Sequence, residues 1–192
     1  GKGITRFHCV IWPAMLLAAE LPLPRKVWAH GYVQWGGAKL SKSAGVAVTI
    51  DEAVRRHGPD SLRYFLLREV GFSGDGNFTW ERFDERYTSD LADGLGNLAS
   101  RSLAMIEKYR AGRVPEAGAT PLDEEADRVL AAYAGAMDGI DLEGGAEAAW
   151  GLITRANQYI VETAPWALAK RGAEPELDAA LAALARTLVR LA

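Results

Sequence analysis

The stretch DLADGLGNLASRSLAMIEKY, residues 90–109, carries Leu91, Leu95, Leu98, Ser102, Met105 and Tyr109 at steps of three and four residues. That spacing lines one stripe of an α-helix and predicts that the stripe faces a core. The pattern recurs toward the C-terminus. Thr120-Pro121 with Asp123 reads as a helix start, followed by a stripe of Ala126, Leu130, Tyr133 and Met137. Ala149, Ile153, Ala156 and Ile160 form the next stripe. Thr163 with Pro165 is expected to open another helix, which Gly172 ends, and Leu177, Leu181, Leu184, Leu188 and Leu191 make the last stripe. Short helices with short connections predict an antiparallel bundle over 88–192.

Toward the N-terminus the chain changes character. GFSGDGNFT, residues 71–79, reads as a loop whose Thr79 caps the following helix. DSLRYFLLREV, residues 60–70, puts Leu62, Phe65, Leu66 and Glu69 on adjacent helical turns, and DEAVRRHG before it is a short helix stopped by Gly58 and Pro59. KVWAHGYVQWGGAKL, residues 26–40, is rich in Val, Trp and Tyr and contains Gly36-Gly37 at a hairpin turn. Ahead of it, Pro13 opens an apolar helix from Met15 to Leu21. The expected fold class is mainly α, with an α/β portion over 1–50, a connecting region over 51–87 and the bundle after it.

Composition narrows the function. The 192 residues carry a formal net charge of −3, so no global basic field draws a nucleic acid, and any anion site must be local. Cys9 is the one cysteine, which rules out an intrachain disulfide and suits the cytoplasm. No run approaches the roughly 18 apolar residues of a membrane span. GKGITRFH at the start lacks the apolar stretch and cleavage pattern of a signal peptide.

AKLSKSAG, residues 38–45, places two lysines and two serines beside a glycine. Lysines on flexible stems can close over a polyphosphate, and serine hydroxyls add donors. The same octamer also suits a plain solvated loop, and it lacks the Gly-x-x-x-x-Gly-Lys spacing of a P-loop. Its setting gives it meaning. Lys39-Leu40-Ser41-Lys42-Ser43 resembles the Lys-Met-Ser-Lys-Ser signature of class I aminoacyl-tRNA synthetases. RFHCVIWPAML, NLASR and APW resemble the methionyl-tRNA synthetase family within that class, and the likeness covers most of the chain. The family's other ATP signature, His-Ile-Gly-His, is absent from these residues. The resemblance therefore implies the C-terminal portion of a longer enzyme: the end of a Rossmann-type catalytic domain followed by a helical anticodon-binding bundle.

The resemblance also implies roles. Lys42, and with it Lys39, would bind ATP and stabilise charge on the leaving pyrophosphate. His30 would lie near the adenine, and Ile4 and His8 would line the slot for the methionine side chain. Asn97, Arg101 and Trp166 would read the CAU anticodon of methionine tRNA. The substrates would be methionine, that tRNA and ATP with Mg, acted on by a cytoplasmic monomer with no membrane attachment and no zinc site in this segment. Two departures stand out: the family has an acidic residue, expected on the adenosine ribose, where this chain has Gly3, and Val46-Ala47-Val48 replaces its usual residues after the lysine loop.

Read by themselves, these residues leave other roles open. His8 suits a half-buried core, His30 a structural turn and Trp166 a core. His57 reads simply as a helix end. Asn97 and Arg101 lie four residues apart, so they share a helix face about 100° from the leucine stripe. An amide and a guanidinium there can reach a base together, or simply meet water. Two other readings of the whole chain remain: a synthetase for another apolar amino acid, and a non-catalytic tRNA-binding module.

Overall fold

The computed structural model describes residues 2–35, 49–71 and 74–192 in full, and Ala38 and Lys39 by their backbone. It forms two compact units, Gly1–Phe83 and Asp84–Ala192.

The first unit opens with a 3₁₀ turn, Lys2–Ile4, a π-helical turn, Phe7–Ile11, and helix α1, Trp12–Ala18. Helix α1 starts ahead of the expected Met15, with Pro13 in its first turn, directly after the π-helical turn. It stops short of Leu21 because Glu20 takes a φ of 54°. Strand β1, Val33–Trp35, pairs antiparallel with β2, Ala38–Lys39, and parallel with β3, Gly76–Phe78. Gly36 and Gly37, expected at the turn between β1 and β2, lie outside the described residues.

Strand β3 corrects the reading of 71–79 as a loop. Its three residues are too few for alternation to be read in the sequence; in the fold Phe78 stacks on Trp35 with ring centres 5.7 Å apart, and the backbones come close beside it. A Cβ on Gly31 would lie 1.6 Å from the Gly74 carbonyl oxygen, and one on Gly76 2.5 Å from that of Glu69. Glycine alone allows such an approach. Gly76 N–H then donates to Tyr32 O at 2.9 Å.

Helix α2, Ile50–His57, is capped by Thr49, whose hydroxyl accepts from Glu52 N–H at 3.2 Å, and Gly58 ends it at φ 85°. Helix α3, Pro59–Glu69, buries Tyr64 and Phe65 but leaves Leu66 of the expected stripe exposed. Thr79 caps helix α4, Trp80–Arg86, as expected, accepting from Arg82 N–H at 3.2 Å. Ala53, Phe65, Phe78 and Phe83 form the core, with the Phe65 ring edge-on to Phe78 and Phe83 at 5.0 and 5.5 Å. His57 closes α2 with its ring 5.1 Å from Phe83.

The second unit is helical throughout. A π-helical segment, Tyr87–Gly96, runs into α5, Asn97–Arg110, without a break, since Gly96 keeps helical angles. Then come α6, Pro121–Gly139, α7, Leu142–Thr163, α8, Pro165–Arg171, and α9, Glu174–Leu191. Helix α9 packs against α5, α6, α7 and α8. Its central place explains why Ala182, Ala183, Leu184 and Thr187 are all fully buried although they face different directions. Leu98, Ser102, Ile153, Ala156, Ile160, Leu177, Leu181 and Leu184 are buried in the core as their stripes require.

Two expectations fail here. Leu130 and Tyr133 of the α6 stripe are 39% and 40% exposed. The second half of α6 lies on α7, where Met137 and Tyr133 cover Gly145, and the buried side of α6 is set by Leu122, Ala126 and Val129. Thr163 does not cap α8: it is the last residue of α7 and its hydroxyl donates back to Tyr159 O at 2.7 Å.

Candidate functional site

Two sets of side chains stand out, one in each unit. In the first, the opening turn and the extended run before β1 enclose a pocket of about 160 Å³ lined by Ile4, Thr5, His8, Val27, Trp28 and Ala29. Ile4 is 58% exposed and flanks its opening. One helical turn on, His8 lies 3.1 Å through Nδ1 from Ile4 O. A carbonyl can only accept, so Nδ1 carries the hydrogen, and the neutral ring offers an acceptor at Nε2. The ring can donate from Nε2 only as imidazolium.

Trp28 connects this pocket to His30, whose ring lies 5.5 Å away. His30 Nδ1 is 2.7 Å from Gly31 O, and its own carbonyl accepts from Lys2 N–H at 3.2 Å. Lys2 then reaches in two directions: its ammonium sits 2.7 Å from the Asp75 carboxylate and 5.3 Å from the centre of the Tyr32 ring. Asp75 also accepts from Tyr32 N–H at 2.8 Å and Gln34 Nε2 at 3.1 Å. The Lys2 contact first, and then the Tyr32 amide, hold its carboxyl below the ordinary range. Gly3 has no room for a side chain while Tyr32 stays in place, because a Cβ there would lie 2.1 Å from the Tyr32 hydroxyl oxygen.

Ile4 and His8 thus share one pocket, with His30 reached through Trp28. Sequence reasoning missed Lys2, Thr5, Val27, Trp28 and Asp75; closeness to His30 in sequence was the one signal for Val27 and Trp28. Lys39 is described by its backbone in β2, opposite Gln34, while its side chain and all of Lys42 lie outside the described residues. Among the described residues no three His, Cys, Asp or Glu side chains gather as a metal site, and no helix is long and apolar enough to cross a membrane.

In the second unit, Asn97 is exposed at the start of α5, and Arg101 is half-buried one turn later, beside the buried Ser102. Trp166 is 48% exposed, between buried Pro165 and Leu168. Ala164 precedes them at φ 44°, ψ 66°, turning the chain sharply from α7 into α8. Two hydrogen bonds tie α7 to the π-helical segment ahead of α5. Trp150 Nε1 donates to Asp90 O at 3.3 Å, and Asn157 Nδ2 donates to Gly94 O at 3.1 Å. The π-helical segment and α7 therefore run in the same direction.

The family model for class I tRNA synthetases (M) matches residues 1–103. The chain is 46% identical to the methionine–tRNA ligase of Oceanobacillus iheyensis and 45% identical to that of Bacillus subtilis, covering 98% of this chain in each case. It spans 29% of the length of those relatives. Among solved structures, Mycobacterium tuberculosis methionyl-tRNA synthetase in complex with methionyl-adenylate superposes on the whole of this chain with a TM-score of 0.92 at 38% identity. The chain covers 39% of that protein. The apo form of the same synthetase gives a TM-score of 0.86 at 34% identity. With more than half of its residues matched by the family model, and its full length carrying the likeness to solved members, this chain belongs to the class I (M) family of tRNA synthetases.

Proposed function

We propose that this chain is the part of a methionine–tRNA ligase that carries the lysine loop and the tRNA-reading bundle. The carrying observation is the superposition of its full length on a synthetase that holds methionyl-adenylate. In the reaction, a carboxylate oxygen of methionine attacks the α-phosphorus of ATP, supplied as its magnesium complex, and pyrophosphate leaves. A terminal hydroxyl of the tRNA then attacks the carbonyl carbon of the adenylate, and AMP leaves.

The residues divide the work by their chemistry. Lys42, with Lys39, meets the charge that develops on pyrophosphate, where a fixed cation lowers the barrier most. Ile4 gives the thioether an apolar wall. His8, with its Nδ1 committed to Ile4 O, turns Nε2 to the sulfur. His30 lies beside the adenine. Gly3 leaves the ribose without a side-chain contact from that position, because the Tyr32 hydroxyl takes the space. Asn97, Arg101 and Trp166 read the CAU anticodon of methionine tRNA. The enzyme acts as a monomer in the cytoplasm.

Pyrophosphate exchange by the full-length gene product, run with a panel of amino acids, tests this reading. Exchange driven by methionine is expected. Exchange driven by another apolar amino acid, or tRNA binding without any exchange, would overturn it in favour of a different synthetase or a non-catalytic tRNA-binding module.

A further inference from the structure

The π-helical segment Tyr87–Gly96 sits directly ahead of Asn97 and Arg101. Such segments are rare and short in most proteins, and they need support because each hydrogen bond spans one more residue than in an α-helix. Two features accommodate the wider ladder from within. A Cβ on Gly94 would lie 3.4 Å from Ser89 O, and one on Gly96 would lie 3.1 Å from Leu91 O, each five residues back. Two more come from α7: the Trp150 indole donates to Asp90 O, and the Asn157 amide donates to both Gly94 O and Ile153 O at 3.1 Å. Asn157 Oδ1 is buried without a hydrogen-bond partner among the described residues. The fold thus tolerates a costly unpaired acceptor where it keeps the donor that reaches Gly94.

From this geometry we infer that Asn157 is a positioning residue for anticodon reading, and that with Trp150 it holds the π-helical register that aims Asn97 and Arg101. A slip of one residue in that register would turn everything downstream by about 100°. The polar face of α5 lies about that angle from the core stripe. Such a slip would swing Asn97 and Arg101 off the reading face and onto the core or away from Trp166. The inference rests on the assignment of Asn97 and Arg101 as readers.

The test uses the full-length enzyme, with pyrophosphate exchange and tRNA aminoacylation measured side by side. Asn157→Leu removes the donor at similar volume. It is expected to lower kcat/KM for methionine tRNA about tenfold or more, to leave exchange within twofold, and to have little effect on a tRNA whose CAU has been altered. Asn157→His, which keeps an N–H donor, should restore part of the loss. Trp150→Phe keeps the ring, drops the other donor and should act in the same direction more weakly; it also stands as the test should Asn157→Leu fail to fold. Asn97→Ala and Arg101→Ala are measured alongside. If they show anticodon-dependent losses while Asn157→Leu and Trp150→Phe do not, the positioning role is overturned and the reading face survives. Equal losses on both tRNAs, or parallel loss of exchange, would likewise reduce Asn157 to a packing residue. If Asn97→Ala and Arg101→Ala show no anticodon dependence, the reading face itself is wrong and the inference falls with it.

Discussion

Asp123 gathers three side chains on one carboxylate. It accepts from Thr120 N–H at 2.8 Å and the Thr120 hydroxyl at 2.9 Å, closing a capping box on α6. Arg186 of α9 meets it through two bonds of 2.7 Å and also donates to Ala117 O and Gly118 O, so the loop before α6 is tied to α9. Arg190 adds a bond of 3.1 Å. The cap was legible in sequence as Thr120, Pro121 and Asp123. The arginines were not, since they lie 63 and 67 residues away. Arg186 above all, then the Thr120 contacts, hold the carboxyl far below its ordinary range despite its burial. A carboxyl depressed in the folded state stabilises above its unfolded value and loses that contribution as pH falls. Asp123→Asn is expected to cost about 2–3 kcal/mol near neutral pH, below the figure for a fully buried pair because both arginines are partly exposed. In urea unfolding, the gap between the variant and wild type should stay constant above about pH 5 and close steadily below about pH 4. A gap that does not change with pH would mean that the carboxylate charge contributes nothing. Lys42 is the opposite case, legible through its motif alone. If it meets charge on pyrophosphate, Lys42→Ala should slow single-turnover adenylate formation on the order of 10²–10³-fold with methionine affinity retained. An unchanged rate at saturating ATP would return it to a solvated loop.

Helices announced themselves where a stripe ran along one buried side, as in α7 and α9, and misled where cover was partial. Leu130 and Tyr133 fit the period of α6 yet remain exposed, while Leu122, Ala126 and Val129 set its buried side. Periodicity reports which residues share a face, not how many neighbours lie over it. The π-helical segment escaped for a related reason: Leu91, Leu95 and Leu98 satisfy α spacing, while the extra hydrogen-bond reach comes from Gly94, Gly96 and donors on α7. Strand β3 was hidden because it is only three residues long, with glycine and asparagine ahead of the one core residue, Phe78. Two glycines separate these effects by experiment. At Gly31 an added Cβ meets the Gly74 carbonyl at 1.6 Å, and backbone cannot yield cheaply. Gly31→Ala is expected to cost at least about 3 kcal/mol, the upper end of ordinary overpacking. At Gly145 the obstacle is the flexible Met137 methyl at 2.4 Å, and alanine gains about 1 kcal/mol of helix propensity over glycine. Gly145→Ala should therefore melt within a few degrees of wild type, while Gly31→Ala melts far earlier. Comparable losses at both sites would show that the β1–β3 approach is looser than these distances imply.

The two units divide the proposed chemistry, activation in the first and tRNA reading in the second, and this makes their contributions separable in one protein. The pocket beside His8 was foreseen only in part, because Val27 and Trp28 reach it through folding and not through any motif. The exposed indole was foreseen as one of two alternatives. Trp166 at 48% exposure, fixed between buried Pro165 and Leu168, offers a ring face that an unpaired base can stack on. Removing such a stack costs roughly 1–3 kcal/mol, so Trp166→Ala should lower kcat/KM for aminoacylation by about tenfold to hundredfold at 1.4 kcal/mol per factor of ten. Exchange of pyrophosphate, which needs no tRNA, should be unchanged. Because about half of the residue is already exposed, the stability cost should be about half or less of the 3–5 kcal/mol lost with a buried tryptophan. The decisive measurement is a double cycle: Trp166→Ala against a tRNA altered in CAU, with thermal unfolding of both proteins. If the ring stacks on the anticodon, the two changes together should cost little more than the larger one alone. Additive losses, accompanied by a large fall in melting temperature, would make Trp166 a support of the α7–α8 turn and leave the reading to Asn97 and Arg101.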